Sequence, residues 1–196
     1  MKIVRRLYDW VLHWAHTPYG TPALMANSFA ESSFFPIPPD VLQIALSISH
    51  RKKSFFYASI SSVASVLGGM LGYLIGFVLM EAVGWPIIHF YKAEKIFSDL
   101  ILLFNENSFW AVLIAALTPI PYKVFTIAAG ASQSDFIVFM LASVLGRSTR
   151  FFALAVMIYI FGEKIKSFID KYFNILTIVF GVLLIVGFLA IKILFK

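Results

Sequence analysis

The chain is 196 residues long, 60% hydrophobic, 17% aromatic and only 13% charged, with a mean hydropathy of +0.87; soluble domains carry about a quarter charged residues, so the composition argues against a water-soluble fold. The net charge of +6 and pI near 9.6 come from basic residues that flank apolar stretches without an aromatic-interleaved patch, which indicates membrane-facing loops and not nucleic acid. Cysteine is absent, which removes disulfides, thiolate chemistry and Cys-based metal sites.

Hydrocarbon offers the backbone no hydrogen-bond partners, so spanning segments must satisfy themselves as helices or as a closed barrel. The apolar stretches are long and continuous instead of alternating, which predicts an all-α polytopic membrane protein built as one domain. Over residues 1–18, Ile3, Leu7, Trp10, Val11 and Trp14 recur at helical spacing opposite Lys2, Arg5, Arg6, Asp9 and His13. This predicts a helix lying in the headgroup plane. The charges interrupt any signal-peptide core, so the helix is expected to be retained.

Residues 20–49 are apolar yet hold Glu31, Asp40 and the run Pro36-Ile37-Pro38-Pro39. Prolines at this density cannot continue a helix. The pattern predicts a re-entrant hairpin of two half-helices, followed by a cytoplasmic turn at Arg51-Lys52-Lys53. Residues 55–80 form a transmembrane span with Gly68, Gly69, Gly72 and Gly76 along one side, small residues that admit a second backbone. Residues 85–107 mix apolar and charged positions and are expected at the interface. Residues 109–131 repeat the hairpin pattern around Pro119 and Pro121, ending near Gly130; residues 136–161 and 172–195 complete the spans.

The chain aligns on itself. Pro36-Ile37-Pro38-Pro39-Asp40-Val41 lies over Pro119-Ile120-Pro121-Tyr122-Lys123-Val124, and Ala64-Ser65-Val66-Leu67-Gly68-Gly69 over Ala142-Ser143-Val144-Leu145-Gly146-Arg147. Two matches in one order predict an inverted repeat of hairpin plus span, as in secondary transporters whose sites lie where the halves meet. Gly130 and Gly146 take the packing role in the second half. Charge breaks the symmetry: Asp40 corresponds to Lys123, while Gly69 and Gly72 correspond to Arg147 and Arg150.

Arg147 sits at least roughly 17 Å from either end of its span at 1.5 Å per residue, and Arg150 three residues on shares its face. Such arginines are costly in a membrane. Either they pair structurally with Glu31 or Asp40, or they form a cationic site for a lipid phosphate, which guanidinium grips bidentately. Asp40 can cap its half-helix. Lys123 stands where the helix dipole opposes a cation, so it is expected to meet an acid or an anionic ligand unless it snorkels to the surface. Glu31 is suited to carrying a proton in a low-dielectric pocket, while an arginine partner would hold it ionised. His13, His16, His50 and His89 fall outside the predicted spans, and neither a metal site, a hydrolase triad nor a phosphate loop can be argued. The chain is therefore read as a non-enzyme without cofactor or metal.

Phe29-Ala30-Glu31, Pro36-Ile37-Pro38-Pro39-Asp40 and Pro119-Ile120-Pro121-Tyr122-Lys123 ahead of Gly130 resemble the DedA family, also called the SNARE-associated or VTT-domain family. Leu145-Gly146-Arg147-Ser148-Thr149-Arg150-Phe151 is similar to its small YqaA-like branch. The resemblance covers roughly residues 25–160. It implies two oppositely facing re-entrant hairpins, a bacterial inner-membrane location, and movement of undecaprenyl phosphate or a phospholipid between leaflets, with proton coupling proposed. Glu31 and Asp40 match the acidic positions of the family, and Lys123 stands where the motif carries an arginine after its proline. An arginine usual just before that proline is replaced by Ala115-Ala116-Leu117, which leaves Arg147 and Arg150 to supply its charge. The expected function is thus lipid flipping or scrambling, with Arg147, Arg150 and Lys123 for the phosphate and Glu31 and Asp40 as ion-pair partners or proton carriers. The alternatives are a proton-coupled small-ion transporter and a non-transporting membrane assembly factor, and the oligomeric state stays open.

Overall fold

A computed structural model of the protein describes Trp14 and residues 17–33, 38–85, 89, 98, 101–102, 104–118, 121–162 and 164. Most of the expected interfacial segments 1–18 and 85–107, the expected span 172–195, and Pro36 and Pro119 lie outside the described residues. Among the described residues the fold is entirely helical. The elements are α1 (Gly20–Ser33), α2 (Asp40–Ser49), a 3₁₀ turn (Arg51–Lys53), α3 (Ser54–Leu79), a π turn (Met80–Gly84), α4 (Ser108–Leu117), α5 (Tyr122–Ala131) and α6 (Phe136–Phe161). Two short helices precede a 26-residue helix in each half. Pro38 and Pro39 fall in the gap before α2, and Pro121 in the gap before α5.

The continuous helix from Arg51 to Ala82 and the helix Phe136–Phe161 are long and apolar enough to cross a membrane. Their outward faces carry Val63, Leu74, Val78, Ile137, Leu141 and Ile160, all exposed, the arrangement a lipid-facing surface requires. Local chemistry fixes the ends of α6. Asp135 caps it, its Oδ1 accepting from the backbone N–H groups of Ile137 (2.8 Å) and Val138 (3.0 Å). At the other end the chain turns at Gly162, with φ of +50°, a conformation that favours glycine.

α3 is the central helix and contacts α1, α5 and α6. Glycines on α3 make this close packing possible: a Cβ at Gly68 would overlap the Phe29 carbonyl of α1, and one at Gly76 the Ile127 carbonyl of α5. α1 and α2 both have an end at the Ser54 end of α3, since Leu24, Leu42, Leu46 and Tyr57 share one apolar cluster. α4 and α5 pack instead toward the start of α6, with Val112, Ala115, Ala129, Phe139 and Ala142 in a second cluster.

Arg51 closes the Ser54 end. Its Nε donates to the Tyr159 carbonyl (2.6 Å) and its Nη2 to the Ile160 carbonyl (2.9 Å), satisfying acceptors that the last turn of α6 leaves open, where the helix dipole favours a cation. Arg51→Ala is expected to cost about 0.5–1 kcal/mol, because the contact is exposed to solvent. Thermal unfolding in detergent checks this, with faster amide exchange at residues 159–161 as its local signature.

Candidate functional site

The inner ends of the four short helices converge beside the middle of α6. Arg147 is buried there, 1% exposed, and among the described residues its hydrogen bonds go to the first half of the chain. Its Nη2 donates to Glu31 Oε2 at 2.8 Å and its Nε to Ser65 Oγ at 2.5 Å. The Ser65 hydroxyl lies 2.6 Å from that of Ser32. The guanidinium also sits 5.0 Å from the Tyr122 ring centroid and 4.8 Å from that of Phe151, a range in which ring quadrupoles attract a cation. Tyr122 is held by its own hydroxyl, which donates to Ser143 Oγ at 2.6 Å.

One turn along α6, Arg150 makes a two-pronged pair with Asp40: Nε to Oδ1 at 3.1 Å and Nη2 to Oδ2 at 2.5 Å. This fork-to-carboxylate geometry is the strong form of ion pair. The third nitrogen, Nη1, donates to the carbonyl of Thr118 at 2.8 Å. That carbonyl precedes Pro119, which offers no backbone N–H. Pro39 is the N-cap of α2 and Asp40 its first residue, and the Asp40 carboxylate accepts from Arg150 through both oxygens.

The sequence-predicted residues thus divide. Glu31, Asp40, Arg147 and Arg150 come together as two neighbouring pairs, each joining the acidic first half to the basic second half. Lys123 stands in the first turn of α5 beside Tyr122, partly exposed; the ion pairs of Arg147 and Arg150 are made without it. Gly69 and Gly72, the counterparts of the arginines in the self-alignment, serve another purpose. They admit α5, since a Cβ at Gly69 would meet the Tyr122 hydroxyl at 2.8 Å and one at Gly72 would overlap Thr126 Oγ1. Gly130 and Gly146 are also close-packed, against Tyr73 and Ala116 respectively.

Sequence reasoning passes over Ser65, Phe151 and Gln43, which the fold brings to the site. Gln43 is fully buried, and its Nε2 donates to the Phe151 carbonyl at 2.9 Å. The available signal is their position: Ser65 lies over Ser143 in the self-alignment, and Gln43 lies three residues past Asp40. Among the described residues there is no group of His, Cys, Asp and Glu able to hold a metal. Chemically, the site offers two guanidinium groups, each already matched by a carboxylate, in a closely packed interior.

A family model described as the VTT domain matches residues 36–160. The chain is 33% identical over 192 residues to an uncharacterized protein of Haemophilus influenzae, a match covering 98% of this chain and 100% of that protein. It is 32% identical over 195 residues to an uncharacterized protein of Histophilus somni, with 98% and 100% covered. No solved structure matches the chain.

Proposed function

Because the chain belongs to the VTT-domain, or DedA, family of membrane-associated proteins commonly linked to transport or flippase roles, we propose that it is a flippase or scramblase for a phosphate-bearing lipid. In this reading α1–α2 and α4–α5 are re-entrant hairpins entering from opposite faces, and the two halves form an inverted repeat. The first pair gathers at the Ser54 end of α3 and the second toward the Phe136 end of α6, which supports that topology. The observation that carries the function is the pair of carboxylate–guanidinium bridges linking the halves where the short helices end.

A guanidinium forks onto phosphate as readily as onto carboxylate, so a lipid phosphate can replace Asp40 without leaving Arg150 uncompensated. Arg150 meets the headgroup first, because 19% of its side-chain surface is exposed against 2% for Arg147. Lys123 adds positive charge at the start of α5, and Arg147 stands behind. Once displaced, Asp40 or Glu31 would be a largely shielded unpaired anion, which is disfavoured; taking up a proton removes that penalty and couples the exchange to protons.

Headgroup translocation in reconstituted vesicles, read from the fraction of labelled lipid reaching a membrane-impermeant quencher, tests the proposal. Arg150→Gln leaves a polar, hydrogen-bonding side chain on that face of α6 but removes the charge. It is expected to lower the translocation rate at least 10-fold in a sample that elutes as folded protein. Undiminished translocation by folded Arg150→Gln would sink the phosphate-binding role.

A further inference from the structure

Four buried polar atoms of the first half have no hydrogen-bond partner among the described residues: Ser28 Oγ on α1, Gln43 Oε1 and Ser47 Oγ on α2, and Ser61 Oγ on α3. All four residues are fully buried. Unpaired buried polar atoms are rare in native proteins, because each forfeits its hydration. Local bonding does not absorb these. Ser32, Ser33, Ser59 and Ser62 each donate to the carbonyl four residues earlier, an option open to any helical serine. Ser28, Ser47 and Ser61 do not use it.

Register brings them into line. Ser32 meets Ser65 across α1 and α3, a separation of 33 residues in sequence. The same separation puts Leu24 and Tyr57 in one cluster two turns earlier, so α1 and α3 run alongside in the same direction. Between those levels, Ser28 falls opposite Ser61. On α2, Ser47 and Gln43 are one turn apart, and Asp40 follows at the next step on the same face. Two polar ladders therefore climb from the Arg51–Lys53 end. One runs by Ser61 and Ser28 to Ser65, Ser32 and Glu31, the other by Ser47 and Gln43 to Asp40. Each rung is about 4.5–6 Å from the next along a helix, the span that one water bridges with two hydrogen bonds of about 2.8 Å.

We propose that Ser28, Gln43, Ser47 and Ser61 hold a file of water that conducts protons from the Arg51–Lys53 face to Glu31 and Asp40. The inference rests on reading those carboxylates as proton carriers. An excess proton enters at the aqueous end, each water hands one on to its neighbour, and a carboxylate oxygen receives one as it leaves its arginine. Nothing is oxidised or reduced, and the arginine keeps its charge throughout. Gln43 is the natural junction, because its amide nitrogen is anchored on Phe151 beside Arg147 while its buried carbonyl oxygen is left without a partner among the described residues.

The native chain has no cysteine, so single thiols can be read against a clean background. Ser28→Cys, Ser47→Cys and Ser61→Cys are near-isosteric, and Val63→Cys on the outward apolar face of α3 is the control. Thiolate, the reactive form, needs water. In reconstituted vesicles, silver ion is expected to consume the three path thiols at least 100-fold faster than the Val63→Cys thiol, as titrated after denaturation. Rates equal to the control would overturn the path whether or not lipid is translocated. Fast reaction in a protein that moves no lipid would support the path and overturn the transport reading instead. The conducting role is read by pH-dye uptake under an imposed gradient: Gln43→Leu, and Ser61→Ala as the milder variant, are expected to slow uptake at least 10-fold. Uptake unchanged in both folded variants, or no uptake by the native chain, would overturn proton conduction.

Discussion

Arg147→Leu is expected to destabilise the protein by about 3–5 kcal/mol, and Glu31→Leu introduced into the same chain to recover most of that loss. Removing the guanidinium alone leaves the Glu31 carboxylate, whose side chain is only 14% exposed, without its partner, 2.8 Å from where the charge was. It also takes the hydrogen bond from Ser65 and the cation from between the Tyr122 and Phe151 rings. Removing both charges leaves an apolar contact of similar volume, which a low-dielectric interior tolerates well. Thermal unfolding of the wild type, both single variants and the double variant in one detergent measures the coupling. Single-variant losses that simply add in the double would show that the pair is not coupled. Arg147 is for this reason a poor residue on which to test transport, and Arg150 the better one.

Gly76→Leu is the second large effect expected, a loss of roughly 3 kcal/mol or more. A Cβ at Gly76 would overlap the Ile127 carbonyl and stand 2.9 Å from the Ala131 nitrogen; across the same contact, a Cβ at Gly130 would overlap the Tyr73 carbonyl and stand 2.8 Å from the Phe77 nitrogen. These are backbone atoms, and no side chain can rotate out of the way. α3 and α5 would have to part, drawing Tyr122 and Thr126 away from Gly69 and Gly72. Gly146→Ala should be milder, because the nearest obstacle is the Ala116 methyl group and the Leu113 carbonyl is farther, at 3.2 Å. Unfolding temperature in detergent ranks the three, and wild-type stability in Gly76→Leu would refute the close-crossing argument.

Two long apolar helices are legible in the sequence because continuous apolar composition marks them without any tertiary information. The interruptions are legible too, since proline withdraws a backbone donor whatever surrounds it. The face shared by Arg147 and Arg150 follows from helical geometry alone. Which acid meets which arginine does not, because Glu31 lies 116 residues from Arg147 and Asp40 110 residues from Arg150. Only the packing of α1 against α3 and of α2 against α6 decides that. The same holds for Phe151, which reads as one more apolar residue until the fold sets its ring against a guanidinium. In the resemblance to the DedA family, the arginine expected before Pro119 is missing from the chain segment. From another helix, Arg150 donates to the Thr118 carbonyl at that point.

The matched pairing of Arg147 with Glu31 and Arg150 with Asp40 has an electrical consequence. Two cations and two anions sum to zero, so this cluster by itself adds no gating charge for the transmembrane potential to act on. An anionic headgroup entering alone would change that by one elementary charge, worth about 2.3 kcal/mol per 100 mV if carried across the whole membrane. A headgroup entering together with a proton would leave the sum at zero. If the chain moves an anionic lipid as proposed, the voltage dependence of turnover would count the protons that accompany each lipid.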